Sequence, residues 1–415
     1  MSPPAPSPDV VAPAQLARDF DLRRLSADFY ENPYPYYAAL RQYQPIKQLP
    51  GGGYLLTRYR DVEYVYKNPK LFSSDKRVEF KPKYGDSLLY EHHTTSLVFN
   101  DPPLHTRVRK LINGALTPRA IAEMQPGLIA LVDKLLAAMA EKGEVDFIDD
   151  FASAIPLEII GNLLAVPHEE RGPLRKWSLA ILGALEPVVS AEAAARGNNA
   201  IQEFTTCLER LIADRRVKPG NPERDVLTRL IKGEDGGEQL TSKELLHNCI
   251  FLLNAGHETT TNLIGNGLVA LCNNPDQKDA LLAQPDLIKT AVEEVLRLES
   301  SNQLGNRITT QAVSIDGHAI EAETSITLCI GAANRDPERF PDPDRMDITR
   351  SPNRHLAFGS GIHQCAGMNL ARLEGSVAIS RFLQRFPGYS ITGTPTRGGR
   401  ARFRGFLRVP CLVNT

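Results

Sequence analysis

Residues 355–374 read HLAFGSGIHQCAGMNLARLE. Three glycines, Gly359, Gly361 and Gly367, crowd one cysteine, Cys365. Glycine tolerates positive φ and lets backbone approach a flat ligand closely. MNLARLE then takes up a helical pattern, which places Cys365 just ahead of a helix N-terminus. The dipole and the free N–H groups there favour thiolate over thiol. A lone thiolate in a glycine cradle suits one axial bond to a metal already held by another ligand set, such as haem iron. The other cysteines, Cys207, Cys249, Cys272, Cys329 and Cys411, form no CxxC pair and read as small core hydrophobes.

The segment 358–367, FGSGIHQCAG, resembles the haem-binding signature of the cytochrome P-450 family, Phe-Gly-x-Gly-x-His-x-Cys-x-Gly in its soluble bacterial members. Phe358, Gly359, Gly361, His363, Cys365 and Gly367 occupy every specified position. The resemblance extends from about Asn32 to the C-terminus. It implies a mainly α fold with small β-sheets, a triangular prism-like single large domain over 17–415. The Pro-rich segment 1–16 is expected to be a disordered tail.

Other segments resemble the family in the expected order. Glu294 and Arg297 stand at i and i+3 on one helix face and resemble its buried structural Glu-x-x-Arg pair, with Arg350 as a third member. NDPPLHTRVRK (100–110) resembles its Asp-Pro-Pro-x-His-x-x-x-Arg stretch. His105 and Arg109 are therefore expected to hold haem propionates, with Arg307 and His363 in the same role.

The stretch FLLNAGHETTTNLIG (251–265) puts Gly, His, Glu and Thr inside an apolar helix. His257-Glu258 begins like the zinc motif HExxH, but the fifth position is Thr261, so that reading fails. Ala255 and Thr259 share a face, and Thr259 can bond back to the Ala255 carbonyl. Small residues Ala255 and Gly256 are expected to clear space over a porphyrin. By resemblance Glu258 and Thr259 are the family's acid–alcohol pair, which delivers protons during dioxygen activation. His257 is expected to face away from the haem, and Asn254 to touch Glu258 or substrate.

Coarse patterning supports the same class. Asn32–Arg41 turns helical after its prolines, GYLLTRY from Gly53 reads as a strand, and DVEYVYKN as a short helix. Residues 75–98 are mixed in polarity and read as a long surface loop. His92 and His93 there read as loop histidines. Residues 102–296 are mostly helical, while AVSIDGHAI and SITLCIGAAN read as β segments. A net charge of −1 gives no electrostatic footprint for nucleic acid. No apolar run approaches a membrane span, and the N-terminus lacks a signal peptide. A cytoplasmic monomer is expected.

The resemblance implies haem b, O2 as co-substrate, and NAD(P)H acting through a separate ferredoxin- or flavodoxin-type donor and its reductase. Arg107, Lys110, Arg354 and Arg372 are expected to steer that acidic partner. The expected activity is insertion of one oxygen atom from O2 into an organic substrate, by hydroxylation or O-dealkylation. The substrate pocket is expected to draw on 75–98, Trp177–Leu185, Asn254 and Ala255, 301–305 and 402–406. Ser-Ser-Asn-Gln at 300–303 departs from the family's Ser-Pro-Val-Gln. Asn302 and Gln303 therefore suggest a looser, more polar wall and a small or medium substrate with an oxygen function, such as an aromatic acid, phenolic ether or terpenoid. An H2O2-using peroxygenase and a non-catalytic haem sensor of the same fold are the alternatives; a purely structural helical protein predicts no haem.

Overall fold

The structure, a computed structural model, describes residues 12–222, 225–232 and 240–413. A 32-residue helix, Ser242–Asn273, runs through the molecule. Thr241 and Glu244 form a capping box at its start: the Glu244 N–H donates to Thr241 Oγ1 (3.2 Å) and the Thr241 N–H donates to Glu244 Oε2 (2.8 Å). Helices Ala154–Leu163, Leu174–Gly183, Ala191–Val217, Ile288–Leu298 and Met368–Arg385 pack around it. That enclosure explains why apolar residues recur all round the helix, with polar ones such as His257, Glu258 and Asn262 buried among them.

Beside the helices lies a five-stranded sheet in the order Ile46–Gln48, Tyr54–Leu56, Ser325–Cys329, Leu304–Thr309, Phe72–Ser73. Only the pairing of Tyr54–Leu56 with Ser325–Cys329 is parallel. Val313–Ile315 and His318–Ile320 make a hairpin whose turn residues, Asp316 and Gly317, both have positive φ (48° and 80°). The helix after the cysteine loop begins at Met368, as its pattern indicates.

Three expectations change. Residues 75–98 are not a loop: they carry helices Arg77–Tyr84 and Leu88–Thr95, parted by Gly85 at φ 60° and capped by Ser87, whose Oγ accepts from the Tyr90 N–H (3.4 Å). Their polarity is mixed because polar groups, His92 and His93 among them, turn inward and are buried. SITLCIGAAN is strand only to Cys329; Ile330–Ala333 is a helical turn. The expected disordered tail ends early, since Pro13–Asp19 is a helix with Pro at its first position. Residues 1–11 lie outside the described residues. Among the described residues no helix is long and apolar enough to cross a membrane.

The Glu294–Arg297 pair is fully buried. Arg297 grips Glu294 bidentately, Nε to Oε2 and Nη2 to Oε1, both at 2.8 Å. Its Nη1 also donates to the carbonyls of Asn334 (2.9 Å) and Pro343 (2.6 Å). Glu294 further accepts from the Asp347 N–H (2.9 Å) and Asn353 Nδ2 (3.0 Å), and Arg350 Nε lies 3.2 Å away. The expected three-membered network is therefore present. It ties helix Ile288–Leu298 to the segment leading into the cysteine loop.

Candidate active site

The cysteine loop closes one end of a large cavity of about 340 Å3. The Cys365 N–H donates to the Phe358 carbonyl (2.9 Å), folding the loop back on itself. Gly361, at φ 70°, allows the loop to press against the Tyr66 carbonyl, which a Cβ would meet at 2.2 Å. Phe358, Gly359, His363, Cys365 and Gly367 all line the cavity. Burial pushes the Cys365 thiol up, against the pull of the Gly367 N–H and of Arg109 and Arg372. Desolvation therefore opposes the helix terminus, the Gly367 N–H and the two guanidinium groups, which favour the anion.

The opposite wall is the middle of Ser242–Asn273. Ala255 is exposed although its helix is enclosed, because it faces the cavity. Thr259 also lines it, and its Oγ1 donates to the Ala255 carbonyl (2.7 Å), as the spacing suggested. Gly256 has another reason to be small. A Cβ there would meet Ile160 Cδ1 at 2.4 Å, so it serves packing against Ala154–Leu163.

Glu258 does not line the cavity. It is buried and lies against Arg400 Nη2. Asn254 lines the cavity with an unpartnered Oδ1, and it is not joined to Glu258. His257 is buried off the cavity, where desolvation holds its imidazole at about 3.

At the rim, Arg109 and Arg307 line the cavity with no carboxylate partner among the described residues. Burial pulls both guanidinium groups down. His363 lines it beside them, and His105 packs against His363 with ring centroids 4.1 Å apart and the rings tilted by 53°. His105 itself does not reach the cavity wall. Both imidazoles leave Nε2 buried and unpartnered. Burial first, then Arg307, His105 and Arg109, hold His363 at about 2. Two unpaired cations and two orphaned ring nitrogens at the rim of an apolar slot, with a thiol at its floor, fit a flat apolar group carrying peripheral carboxylates.

The 179–394 segment matches the family model Cytochrome P450. A biotin-biosynthesis cytochrome P450 of Bacillus subtilis is 37% identical over 88% of this chain and 92% of that relative. The vitamin D(3) 25-hydroxylase of Pseudonocardia autotrophica is 39% identical over 88% and 89%. The chain belongs to the cytochrome P450 family. Its fold is that of solved P450 structures. P450BioI in complex with an acyl carrier protein ligated to hexadec-9Z-enoic acid superposes with a TM-score of 0.88 at 35% identity, covering 94% of this chain and 99% of that one. CYP109E1 of Bacillus megaterium with testosterone gives 0.86 at 29% identity, covering 94% and 100%. The P450 family comprises oxidoreductases that use haem b with O2.

Several site features of this P450 escape sequence reading. Gln303 does not line the cavity; its Nε2 turns to the Ser300 carbonyl (2.6 Å). Asn302 does line it. The wall is mainly apolar, with Leu97, Ile181, Leu182, Leu185, Phe251 and Leu252, and polar side chains such as Ser301, Asn302, Asn306 and Arg402 gather at one part of it. Arg107 lies against Glu244, and Arg372 pairs with Glu293 (2.6 and 2.9 Å), so neither is an unengaged surface cation. Glu374 was not foreseen. It lines the cavity, is buried with an unpartnered Oε2, and burial pushes its carboxyl up to about 8 despite a Thr260 hydrogen bond. The available signal was a carboxylate between Leu370 and Ala378 on the apolar face of the C-terminal helix.

Proposed function

We propose that this P450 is a haem-thiolate monooxygenase that hydroxylates or O-dealkylates a small or medium organic substrate bearing an oxygen function. One observation carries the reading: Cys365 and the Ala255–Thr259 face of the long helix are opposite walls of a single cavity. Cys365 would hold the haem iron, between Phe358 and Gly367. Arg109, Arg307 and His363 would take the propionates, with His105 positioning His363. Haem b, when bound, supplies the activation of O2.

The chain's own part is to orient substrate, exclude water and hold protons. The apolar wall excludes water. Thr259 presents a hydroxyl whose proton is already directed to the Ala255 carbonyl, leaving its oxygen free to accept. Two buried carboxyl groups flank that helix face. Glu258 is held by Arg400, and Glu374 keeps its proton through neutral pH because burial disfavours its anion. Asn254 and Asn302 offer polar contacts to substrate. In this reading residues 17–415 act as one unit, a monomer in the cytoplasm.

The decisive measurement is the absorbance spectrum of the reduced protein under CO. Wild type shows the red-shifted Soret band of thiolate ligation, and Cys365→Ala loses it while keeping its helical circular dichroism. A colourless wild type, or an unchanged band in the variant, contradicts the assignment.

Electrons reach this site from a separate acidic donor, a ferredoxin or flavodoxin reduced through NAD(P)H. Lys110 and Arg354, two of the cations expected to steer it, are the pair that tests this. Reversing both to Glu slows reduction by that donor about 10-fold at low ionic strength and flattens its salt dependence. Unchanged stopped-flow reduction rates would remove them from the interface.

A further inference from the structure

Arg402 has no part in the cysteine loop or the long helix, yet it lines the same cavity. A guanidinium carries five N–H donors in a fixed fork. Three are used here: Nε to the Leu185 carbonyl (3.0 Å), Nη1 to the Leu304 carbonyl (2.8 Å) and Nη2 to Asn306 Oδ1 (2.6 Å). All three acceptors are neutral. One N–H on each terminal nitrogen is left over, and no carboxylate forms an ion pair with the guanidinium among the described residues. Glu186, the acid of this corner, is turned to the backbone, accepting from the N–H groups of Ala401 (2.8 Å) and Arg402 (3.2 Å).

Lys83 brings a second cation near this corner, against the single carboxylate of Glu186. Lys83 donates to the Glu186 carbonyl (2.7 Å), and burial together with Arg402 holds its amine down at about 8. His93 lines the cavity with an unpartnered Nε2. Burial, Lys83 and Arg402 hold it at about 3, so it is a neutral neighbour. Asn302 sits on the segment bridged to Phe403, next to Arg402, and its Oδ1 has no partner. Its amide can turn a donor to a ligand.

We propose that Arg402, with Asn302 beside it, anchors a carboxylate head group of the substrate. The inference rests on the monooxygenase reading of this cavity and narrows its substrate class to acids with an apolar aryl or alkyl body. A carboxylate accepts two N–H bonds from one guanidinium fork, whereas a neutral oxygen leaves the charge unpaired in a desolvated wall. Leu97, Ile181, Leu182 and Leu185 are then left to cover the hydrocarbon body. Anchoring one end fixes which carbon meets the face opposite Cys365, so Arg402 is a specificity-determining residue.

The test uses haem-loaded full-length protein and the ω-phenylalkanoates from benzoate to 6-phenylhexanoate, each paired with its methyl ester. Dissociation constants come from equilibrium dialysis and from the Soret spin-state shift. The best acid should bind at least about 10-fold tighter than its ester. Arg402→Gln should erase that preference by weakening the acid about 10- to 100-fold while leaving the ester unchanged, and Arg402→Lys should keep part of it. Equal binding of acids and esters by the wild type overturns the proposal without reference to any variant, as does failure of every acid to bind. Loss of haem from Arg402→Gln also overturns it, because Arg402 would then be serving the propionates. A missing thiolate band in the wild type is a different result: it removes the monooxygenase reading itself.

Discussion

Arg297→Ala is expected to destabilise the fold by at least about 3–5 kcal/mol, the usual cost of removing one partner from a buried ion pair. Both side chains of this pair are wholly inaccessible. Removing the guanidinium strands Glu294, which then retains only Arg350 as a cation partner. It also strips a donor from three backbone carbonyls, those of Asn334, Pro343 and Arg345, of which only Arg345 keeps another, from Arg350 Nη2 (3.4 Å). Each buried acceptor left without a donor adds a penalty of about 1 kcal/mol or more. Because domains are stable by only about 5–15 kcal/mol, the variant is expected to be largely unfolded or insoluble. Arg297→Lys keeps the charge but cannot reproduce the fork and the carbonyl bonds together, so it should fall between the two. Urea unfolding followed by circular dichroism checks the order. An Arg297→Ala midpoint within error of wild type would show that the network contributes little.

The stability of the protein is expected to peak near neutral pH and to fall on both sides, for opposite reasons. His93 and His257 are each held at about 3 by burial, and His92 is also pulled well down. Their unfolded forms take protons below about pH 6.5, while the folded forms stay neutral. The unfolded state therefore binds more protons, and stability is lost as pH falls. At pH 5 the loss is about 2 kcal/mol for each of the first two, about 4 kcal/mol together. Glu374 works the other way. Its folded carboxyl keeps a proton up to about 8, whereas its unfolded form ionises near 4.5, so stability falls as pH rises between those values. Over pH 5 to 6.5 it offsets about 2 kcal/mol of the histidine effect. Urea unfolding at pH 5, 6.5 and 8 separates the contributions. His257→Leu should flatten the acid arm, and Glu374→Gln should steepen it and remove the alkaline arm. A flat wild-type profile from pH 5 to 8 would show that these groups are not desolvated.

Much of this was readable from residue order, and its limits follow the range of the interactions. The cysteine loop is local: its glycines, its Cys and the helix that follows lie within twenty residues, so spacing alone predicted its shape. The Glu294–Arg297 pair and the Thr259 bond to Ala255 span three and four residues on one helix, and both could be foreseen. The helices at 77–95 were missed because their inward face is polar, which defeats a reading that equates burial with hydrophobicity. Gly256 lines the cavity as expected, but its second neighbour, Ile160, could not be foreseen because nothing local shows that it passes over this glycine.

Residue types and short spacings by themselves carried the family resemblance and the local shape of the cysteine loop and of the Ala255–Thr259 helix face. Only the tertiary structure decided who faces whom. It turned Glu258 to Arg400 and Gln303 away from the cavity, it brought Glu374 into the cavity wall, and it left Arg402 there without a carboxylate partner among the described residues. Chain-distant contacts of this kind, such as Arg402 against Leu185 and Asn306, leave no periodic trace in sequence. They arise from packing, and in this cavity they set charge, proton affinity and the shape offered to substrate.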